Sequence, residues 1–426
     1  MTRLILILMI GIVGFTSFSQ SNEKEVPTST NSTINTNLAV PAITNSSPQQ
    51  ESFKQELEEK ENDSISELKS ASQEMLNGKP SKGSSTKFKD SDYKSSASPS
   101  ISSKKISNSV STESLSKSFT STKQQSSYQR TQRTPTLEQQ AKMDETVLYF
   151  EQFAPESFEY HYYKYIAGNY SIELIDHLMK AYQLRPNNVD VQVQLAAYYF
   201  IIGDTTNTSL YLSKIKTANK LTNDVTSYAK DVLLSVPQNG TLITHGFDDT
   251  YGCAYLQNIE GIRKDVQLIS LDFLQSETFK VKLKEKGYIL PENQIIDINY
   301  LSSFCLQNQS KNIAVSMTTP KEYFVPIEKS IYVVGLNFEY HNEVYNNFSR
   351  NDLLWNEVME KKLVYSSLNE KAKQLSSNYL PMLLLLREVY LQQNLTDKVK
   401  EIDDALDKVS VQCKKYDQVQ KMKKSY

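Results

Sequence analysis

Apolar side chains recur at helical spacing between residues 157 and 236, where short polar turns separate one apolar run from the next. One face of a predicted helix in this stretch is formed by Leu174, Ile175, Leu178, Ala181 and Tyr182. At about 3.6 residues per turn, this spacing places the five side chains on the same side of the helix. We therefore predict a train of antiparallel helices over residues 136–238.

The pattern changes to short apolar runs after Gly240. These runs predict strands and intervening helices, with strands at 241–244, 266–270, 312–316 and 330–334 and helices at 250–260, 276–286 and 299–308. The strand, helix, strand order at the start favours a parallel pair with a right-handed crossover. We predict a small parallel α/β module over residues 239–345.

Helical spacing returns after residue 345 and predicts helical hairpins over residues 346–412. The lysine-rich segment 413–426 is expected to fray as a tail. The predicted fold class is therefore α/β with flanking α-helices: helical hairpins surround a small parallel α/β layer, and a disordered region precedes them.

The first residues have the pattern of a secretory signal peptide. A positive start, Met1-Thr2-Arg3, precedes an apolar run from Leu4 to Phe15, and Ser17-Phe18-Ser19 follows. We predict a signal peptide over residues 1–19 with cleavage after Ser19, and an uncleaved anchor as the alternative. The apolar run is shorter than the roughly 20 residues that a membrane-spanning helix needs. We therefore expect a periplasmic or cell-envelope protein that does not span the membrane after cleavage.

Residues 20–135 are rich in Ser, Thr, Lys, Asn and Gln and contain few large apolar side chains. Such a segment buries too little apolar surface to offset its ordering entropy, which predicts a disordered tether. Residues 51–75 are acidic and could form a partner-induced helix, whereas residues 76–134 are basic and could contact an anionic surface. A solvated linker is the interpretation that the composition favours for both.

Two features of the composition exclude classes of function. The net charge of −2 does not provide the positive surface that phosphate contacts require, so we expect no nucleic-acid partner. Cys253, Cys305 and Cys413 are odd in number and widely spaced, which favours buried, unpaired thiols. We find no phosphate-binding glycine loop, no His-Glu-x-x-His and no paired Cys-x-x-Cys, and we predict neither a cofactor nor a bound metal.

The first helical region resembles tetratricopeptide repeats. The matching positions are Gly168-Asn169-Tyr170, Ala181, Pro186-Asn187-Asn188, Leu195-Ala196, Tyr199 and Gly203-Asp204. The resemblance covers up to two repeats and implies paired helices with small residues at their contacts. Several tyrosines occupy adjacent helix positions, so some are expected to face outward, although repeat packing explains most of them.

The most distinctive motif spans residues 242–271. It contains Thr244-His245-Gly246-Phe247-Asp248-Asp249-Thr250 and, further on, Gly261-Ile262-Arg263-Lys264-Asp265-Val266. This pattern is similar to the soluble carboxy-terminal region of a bacterial membrane-protein family related to protein O-mannosyltransferases. Phe247 and Asp248 depart from the family's loop, and its multi-span membrane half is not found in this sequence. The resemblance therefore implies a shared soluble module and does not imply glycosyl transfer.

The loop after the first strand is the candidate site. It follows the carboxyl end of a parallel strand and begins a helix, which is where open α/β sheets bind ligands. The candidate ligand-binding residues are His245, Gly246, Asp248, Asp249, Thr250, Arg263 and Asp265. The two adjacent carboxylates could hold a cation or accept hydrogen bonds from sugar hydroxyls. The competing interpretation, which we favour, is that the loop only caps the helix and that Arg263 and Asp265 form an ion pair.

Three further histidines, His161, His177 and His341, lack metal-ligand spacing. The sequence thus predicts an exported, non-enzymatic interaction protein whose helical-repeat surface binds an envelope protein. The alternative is a glycan- or nucleotide-sugar-binding α/β module, with or without enzymatic activity, centred on Asp248 and Asp249.

Overall fold

The computed structural model describes residues 111–366 and 368–424. The predicted signal peptide and the predicted tether as far as residue 110 lie outside these residues. The chain first forms a series of helices: α1 (Thr112–Ser127), α2 (Leu137–Phe153), α3 (Phe158–Ala167), α4 (Ile175–Leu184), α5 (Val189–Ile202), α6 (Thr205–Thr217) and α7 (Asn223–Ser235).

Polar side chains fix where these helices begin. Thr136 caps α2 in a capping box with Gln139, and similar caps precede α3, α5, α6 and α7. Each helix from α1 to α5 packs against the next one along the chain. Leu178 and Ala181 of the predicted face are buried in this packing. The prediction of consecutive helices is confirmed.

Some tyrosines of this region were expected to face outward, but they do not. Helix α3 packs against both α2 and α4. The tyrosines in question are all buried or half-buried: Tyr160, Tyr162, Tyr163, Tyr165, Tyr198, Tyr199 and Tyr211. Packing between neighbouring helices therefore accounts for them.

The predicted tether ends earlier than residue 135. Helix α1 begins after the cap Ser111, and the buried ring of Phe119 stacks on Tyr163 with ring centroids 4.2 Å apart. Arg133 is also buried. Composition averaged over the segment hid these anchors, because one aromatic side chain and one paired arginine suffice to dock a short polar stretch.

The sheet is mixed, whereas a parallel layer was predicted. Its strands are β1 (Thr241–Thr244), β2 (Gln267–Ser270), β3 (Ile313–Ser316), β4 (Ile331–Val334) and β5 (Asn337–Tyr340), in the order β2-β1-β3-β5-β4. β1 is parallel to β2 and to β3, but β5 is antiparallel to both β3 and β4. A two-residue turn containing Gly335, with φ of 57°, folds β5 back beside β4 and inserts it next to β3.

Helices α8 (Phe247–Asn258), α9 (Glu277–Glu285) and α10 (Ile298–Gln307) lie between the strands, close to their predicted positions. Every residue of β1, β3 and β5 is buried, so these strands are covered on both faces. The carboxyl ends of β1, β2 and β3 meet at one edge of the sheet, and the loops that follow them form the candidate site.

The last part of the chain is helical: α11 (Phe348–Leu353), a π-helical turn (Leu354–Val358), α12 (Lys362–Tyr365), α13 (Glu370–Ser376), α14 (Leu380–Gln392), α15 (Thr396–Gln412) and α16 (Tyr416–Lys424). The predicted frayed tail is wrong for residues 416–424, since Val419 and Met422 are buried against α15. Amphipathic spacing in the lysine-rich segment provides this contact.

Helix α7 contacts both the sheet and the carboxy-terminal helices. The carboxylate of Asp231 accepts hydrogen bonds from the backbone N–H groups of Glu360 and Lys361, at 2.7 and 2.9 Å, and from the hydroxyl of Tyr379, at 2.6 Å. The Ser235 hydroxyl accepts a bond from the N–H of Leu336 at 3.2 Å. Within residues 111–366 and 368–424, no helix combines the length and apolar character needed to cross a membrane.

Candidate functional site

The candidate loop begins where β1 ends. Gly246 adopts a φ of 80°, which favours glycine, and turns the chain from β1 into α8. Gly246 is the N-cap of α8 but provides no side-chain cap. Thr250, one helical turn further on, is buried and shares a hydrogen bond of 2.8 Å with the hydroxyl of Thr244. The loop is therefore tied to its own strand.

Asp249 is fully buried and hydrogen-bonded within the chain. One carboxylate oxygen accepts the N–H of His245 at 3.0 Å and the hydroxyl of Thr318 at 2.6 Å, and the other accepts the N–H of Thr250 at 2.9 Å. Burial raises the pKa of Asp249 to about 7, against the effect of these hydrogen bonds. Asp249 therefore ties the loop to the segment that follows β3, and the N-cap position of α8 is held by Gly246 without a side-chain cap.

Asp248 faces a different partner. Its carboxylate forms an ion pair with Lys371 of α13, whose ammonium also lies 5.6 Å from the centre of the Phe247 ring. Burial raises the pKa of Asp248, and Lys371 opposes the shift. The two adjacent carboxylates thus have separate partners, and no group of three or more His, Cys, Asp or Glu among the described residues is arranged to hold a metal ion.

His245 is half-buried beside charged and polar side chains. Burial and the nearby Arg133 guanidinium lower its pKa to about 3, so the imidazole is neutral near pH 7. Its ring approaches that of Tyr323 with centroids 6.3 Å apart. Its Nε2 atom is buried and has no hydrogen-bond partner within the described part of the chain.

The structure adds residues that sequence reasoning missed. Arg133, which is 6% exposed, donates from Nε to Oδ1 of Asp272 at 2.7 Å. Asp272 lies two residues after β2, at the same edge as His245, and Arg133 holds its pKa below the ordinary value against the opposing effect of burial. A carboxylate just beyond a predicted parallel strand was a usable signal for Asp272, whereas Arg133 lay inside a segment that resembled a linker.

Arg263 and Asp265 lie at the opposite end of the strands. Arg263 donates to both carboxylate oxygens of Asp265 at 2.8 and 2.9 Å and to the carbonyl of Pro237 at 2.9 Å. Hydrogen bonding to Arg263 lowers the pKa of Asp265 to about 2. The predicted ion pair is present, and it joins the turn before β2 to the turn before β1. These two residues do not take part in the edge that contains His245 and Asp249.

Other residues singled out in the sequence have packing partners. The Nδ1 atoms of His161 and His177 are 3.0 Å apart between α3 and α4, although the two residues are far apart in sequence. The ring of His341 stacks on Tyr345. The cysteines are free, as expected, with Cys253 and Cys305 buried and Cys413 half-buried.

The raised pKa of Asp249 leads to a prediction about pH. The unfolded carboxyl has a pKa near 3.8 and the folded one near 7, so the fold favours the protonated form. The contribution of Asp249 to stability is therefore largest below pH 3.8, decreases as the pH rises towards 7, and is constant above it. We expect Asp249→Asn, which cannot ionise, to remove this dependence, with a difference of a few kcal/mol at most.

The measurement is urea unfolding of both proteins between about pH 5 and about pH 8. The difference in unfolding free energy between variant and wild type should increase up to pH 7 in favour of Asn and then level off. Other titrating groups cancel in this difference. A difference that does not change with pH would show that Asp249 ionises normally in the fold.

Comparison with known proteins gives one match. Residues 225–423 match the family model described as TMEM260-associated domain 2. The matched range begins within α7 and includes the loop, the sheet and the carboxy-terminal helices, whereas α1 to α6 and Arg133 lie outside it. No curated protein and no solved structure matches the chain. This part of the chain is therefore similar to a TMEM260-associated domain.

Proposed function

We propose that this chain is an exported, non-enzymatic protein of the periplasm or cell envelope that binds a protein partner through the surface of its helices. In this proposal, α3 to α6 are tetratricopeptide-like hairpins. The match to a TMEM260-associated domain and the similarity of residues 242–271 to a family related to protein O-mannosyltransferases support a module that works beside other proteins.

The observation that carries the proposal is that the candidate site is occupied by the chain's own groups. Lys371 pairs with Asp248, the Thr318 hydroxyl binds Asp249, and Arg133 pairs with Asp272. A ligand at this edge would have to replace bonds that already exist, and buried polar groups lose much free energy when a partner is removed. The arrangement therefore favours a structural role for the loop.

Three large apolar side chains of α2 remain exposed. Leu137, Leu148 and Phe153 are 92%, 60% and 63% exposed, while Met143, Val147 and Phe150 of the same helix are buried. The Tyr149 and Phe153 rings pack together with centroids 4.7 Å apart. Exposed apolar side chains gathered on one helix are typical of protein-binding surfaces.

The test is site-specific photo-crosslinking in cells that produce the full chain. A photoreactive residue at Leu148 or Phe153 should give a protein adduct of defined mass, whereas one at the exposed, polar Lys400 of α15 should give little. Leu148→Ser should reduce the adduct formed from position 153. Equal adducts at all three positions, or a mature product that stays in the cytoplasm, would contradict the proposal.

The second candidate function is glycan or nucleotide-sugar binding, and one observation favours it. A cleft of about 400 Å³ lies beside the start of α7 and is lined by Asn223, Asp224, Lys230, Glu260 and Glu360, among others. Carboxylate and amide groups in a cleft of this size could bind sugar hydroxyls. Glycans, nucleotide sugars or divalent cations should then raise the melting temperature of the full chain. Loss of that shift in Asp224→Ala would assign the ligand to the cleft, and loss in Asp249→Asn to the loop after β1.

A further inference from the structure

We propose that a cavity between the carboxyl end of α5 and helix α9 binds a small amphiphilic anion, in which one apolar chain carries a carboxylate or a phosphate. The cavity has a volume of about 260 Å³, at the lower end of the range for small-ligand pockets. It shares no lining residue with the cleft beside α7, and none of its lining residues belongs to α2. The inference therefore goes beyond the functions proposed above and does not depend on them.

Part of the cavity wall is apolar. Ile201, Phe279 and Leu283 are buried, and the half-buried Phe200 contributes its ring, whose centroid lies 6.2 Å from that of Phe279. These side chains come from α5 and α9, which contact each other here. The apolar chain of a ligand would leave water when it packs against this wall, which favours binding in proportion to the area covered.

Two lysines also line the cavity. Lys282 lies in α9 and Lys286 follows four residues later, so the two are neighbours on one side of the helix. The Nζ atom of Lys282 lies against Gly203, where an added Cβ atom would be only 2.8 Å away. This half-buried ammonium has no hydrogen-bond or ion-pair partner within residues 111–366 and 368–424. An anionic ligand would provide the acceptor that the ammonium lacks.

The charge of the cavity is not balanced by the chain. No Asp or Glu is among the described residues that line it. Asp204 comes next to Gly203 in sequence, but its carboxylate accepts the N–H of Asn207 at 2.9 Å and the side-chain amide of Asn207 at 2.7 Å. Lys286 donates to Oε1 of Gln267, a neutral amide oxygen, at 2.6 Å. The lining thus carries two positive charges, which favours anions over neutral ligands.

The cavity lies away from the loop that follows β1. Gln267 at the start of β2 and Asn258 at the end of α8 line it, whereas the loop lies at the other end of both elements. A ligand here would enter open space and would leave the bonds of Asp248 and Asp249 intact. Because α5 and α6 provide one side of the cavity and α9 and β2 the other, a bound ligand should also raise the melting temperature of the chain.

The experiment is calorimetric titration of the full chain with octanoate and, separately, with octyl phosphate at low salt. Both should bind, and the tighter of the two identifies the head group. Octanol, which has the same chain without a charge, should bind about tenfold more weakly. Lys282→Gln should weaken binding of both anions by about tenfold, because it removes the charge and keeps most of the side-chain length. Thr205→Trp should abolish binding, because the indole would fill the cavity while both lysines remain.

Lys284→Gln is the matched control. Lys284 is exposed on the same helix and is not part of the cavity lining, and its replacement changes the net charge by the same amount. Binding to this variant should equal binding to the wild type. Equal losses in Lys282→Gln and Lys284→Gln, equal binding of octanol and octanoate, or no binding of either anion to the wild type would overturn the proposal. A Lys282→Gln variant with a lower unfolding free energy but unaltered binding would also overturn it, since Lys282 would then only stabilise the carboxyl end of α5.

Discussion

Replacing Asp231 with alanine is expected to lower the free energy of unfolding by about 3–5 kcal/mol. The carboxylate is fully buried and accepts hydrogen bonds from the N–H groups of Glu360 and Lys361 and from the hydroxyl of Tyr379. The alanine variant would leave three donors without this acceptor, and one of them, the Tyr379 hydroxyl, is buried. Chemical denaturation of the full chain measures the effect as a shift in midpoint at constant slope.

Two controls distinguish the hydrogen bonds from general sensitivity of the helices. Asp231→Asn keeps one acceptor oxygen and should lose less stability than the alanine variant. Asp176 is exposed near the start of α4, and its replacement by alanine should change the unfolding free energy by less than about 0.5 kcal/mol. Equal effects of Asp231→Ala and Asp176→Ala would contradict the role assigned to Asp231.

The substitution Gly335→Ala is expected to destabilise the fold by about 2–4 kcal/mol. Gly335 has a φ of 57°, and a Cβ atom there would lie 2.5 Å from Cβ of Ser235, inside van der Waals contact. The turn between β4 and β5 would have to move away from α7. Loss of the Leu336 hydrogen bond to Ser235 would follow, and the melting temperature should fall accordingly.

Gly261 provides a matched control for this substitution. Its φ of 72° imposes a similar backbone strain on alanine, but a Cβ atom would meet no atom closer than 3.7 Å. Gly261→Ala should therefore lose only about 1 kcal/mol, which is the cost of the left-handed conformation. If both variants lost the same stability, the clash with Ser235 would be ruled out as the main cause for Gly335.

The sequence predicted the elements whose signal is local. Strands β1 to β4 and helices α8 to α10 have apolar runs or helical spacing of their own, and their positions were found within a few residues. β5 was missed because it contains Asn337 and Glu339, polar residues that are buried only through long-range contacts. The antiparallel half of the sheet depended on that strand, so a parallel layer was predicted.

The sequence likewise predicted only the part of the candidate site whose signal is local. The strand-loop-helix order located His245, Gly246 and Asp249 correctly at one edge of the sheet. It could not show that Arg133, more than 100 residues earlier, approaches that edge, because pairing across such a separation leaves no periodic pattern. Arg263 and Asp265 were grouped with the loop by closeness in sequence. They lie before the amino end of β2, whereas the loop follows the carboxyl end of β1, so the two are at opposite ends of the parallel strands.

The position of α7 has a mechanical consequence. One side of this helix binds the segment before α12 through Asp231, and its end binds the β4–β5 turn through Ser235. The first helical region, which ends with α7, the sheet and the carboxy-terminal helices are thus joined through this one helix. A force applied to the first helices would reach the sheet and the last helices through α7. The chain from α7 onward should therefore unfold as one cooperative unit.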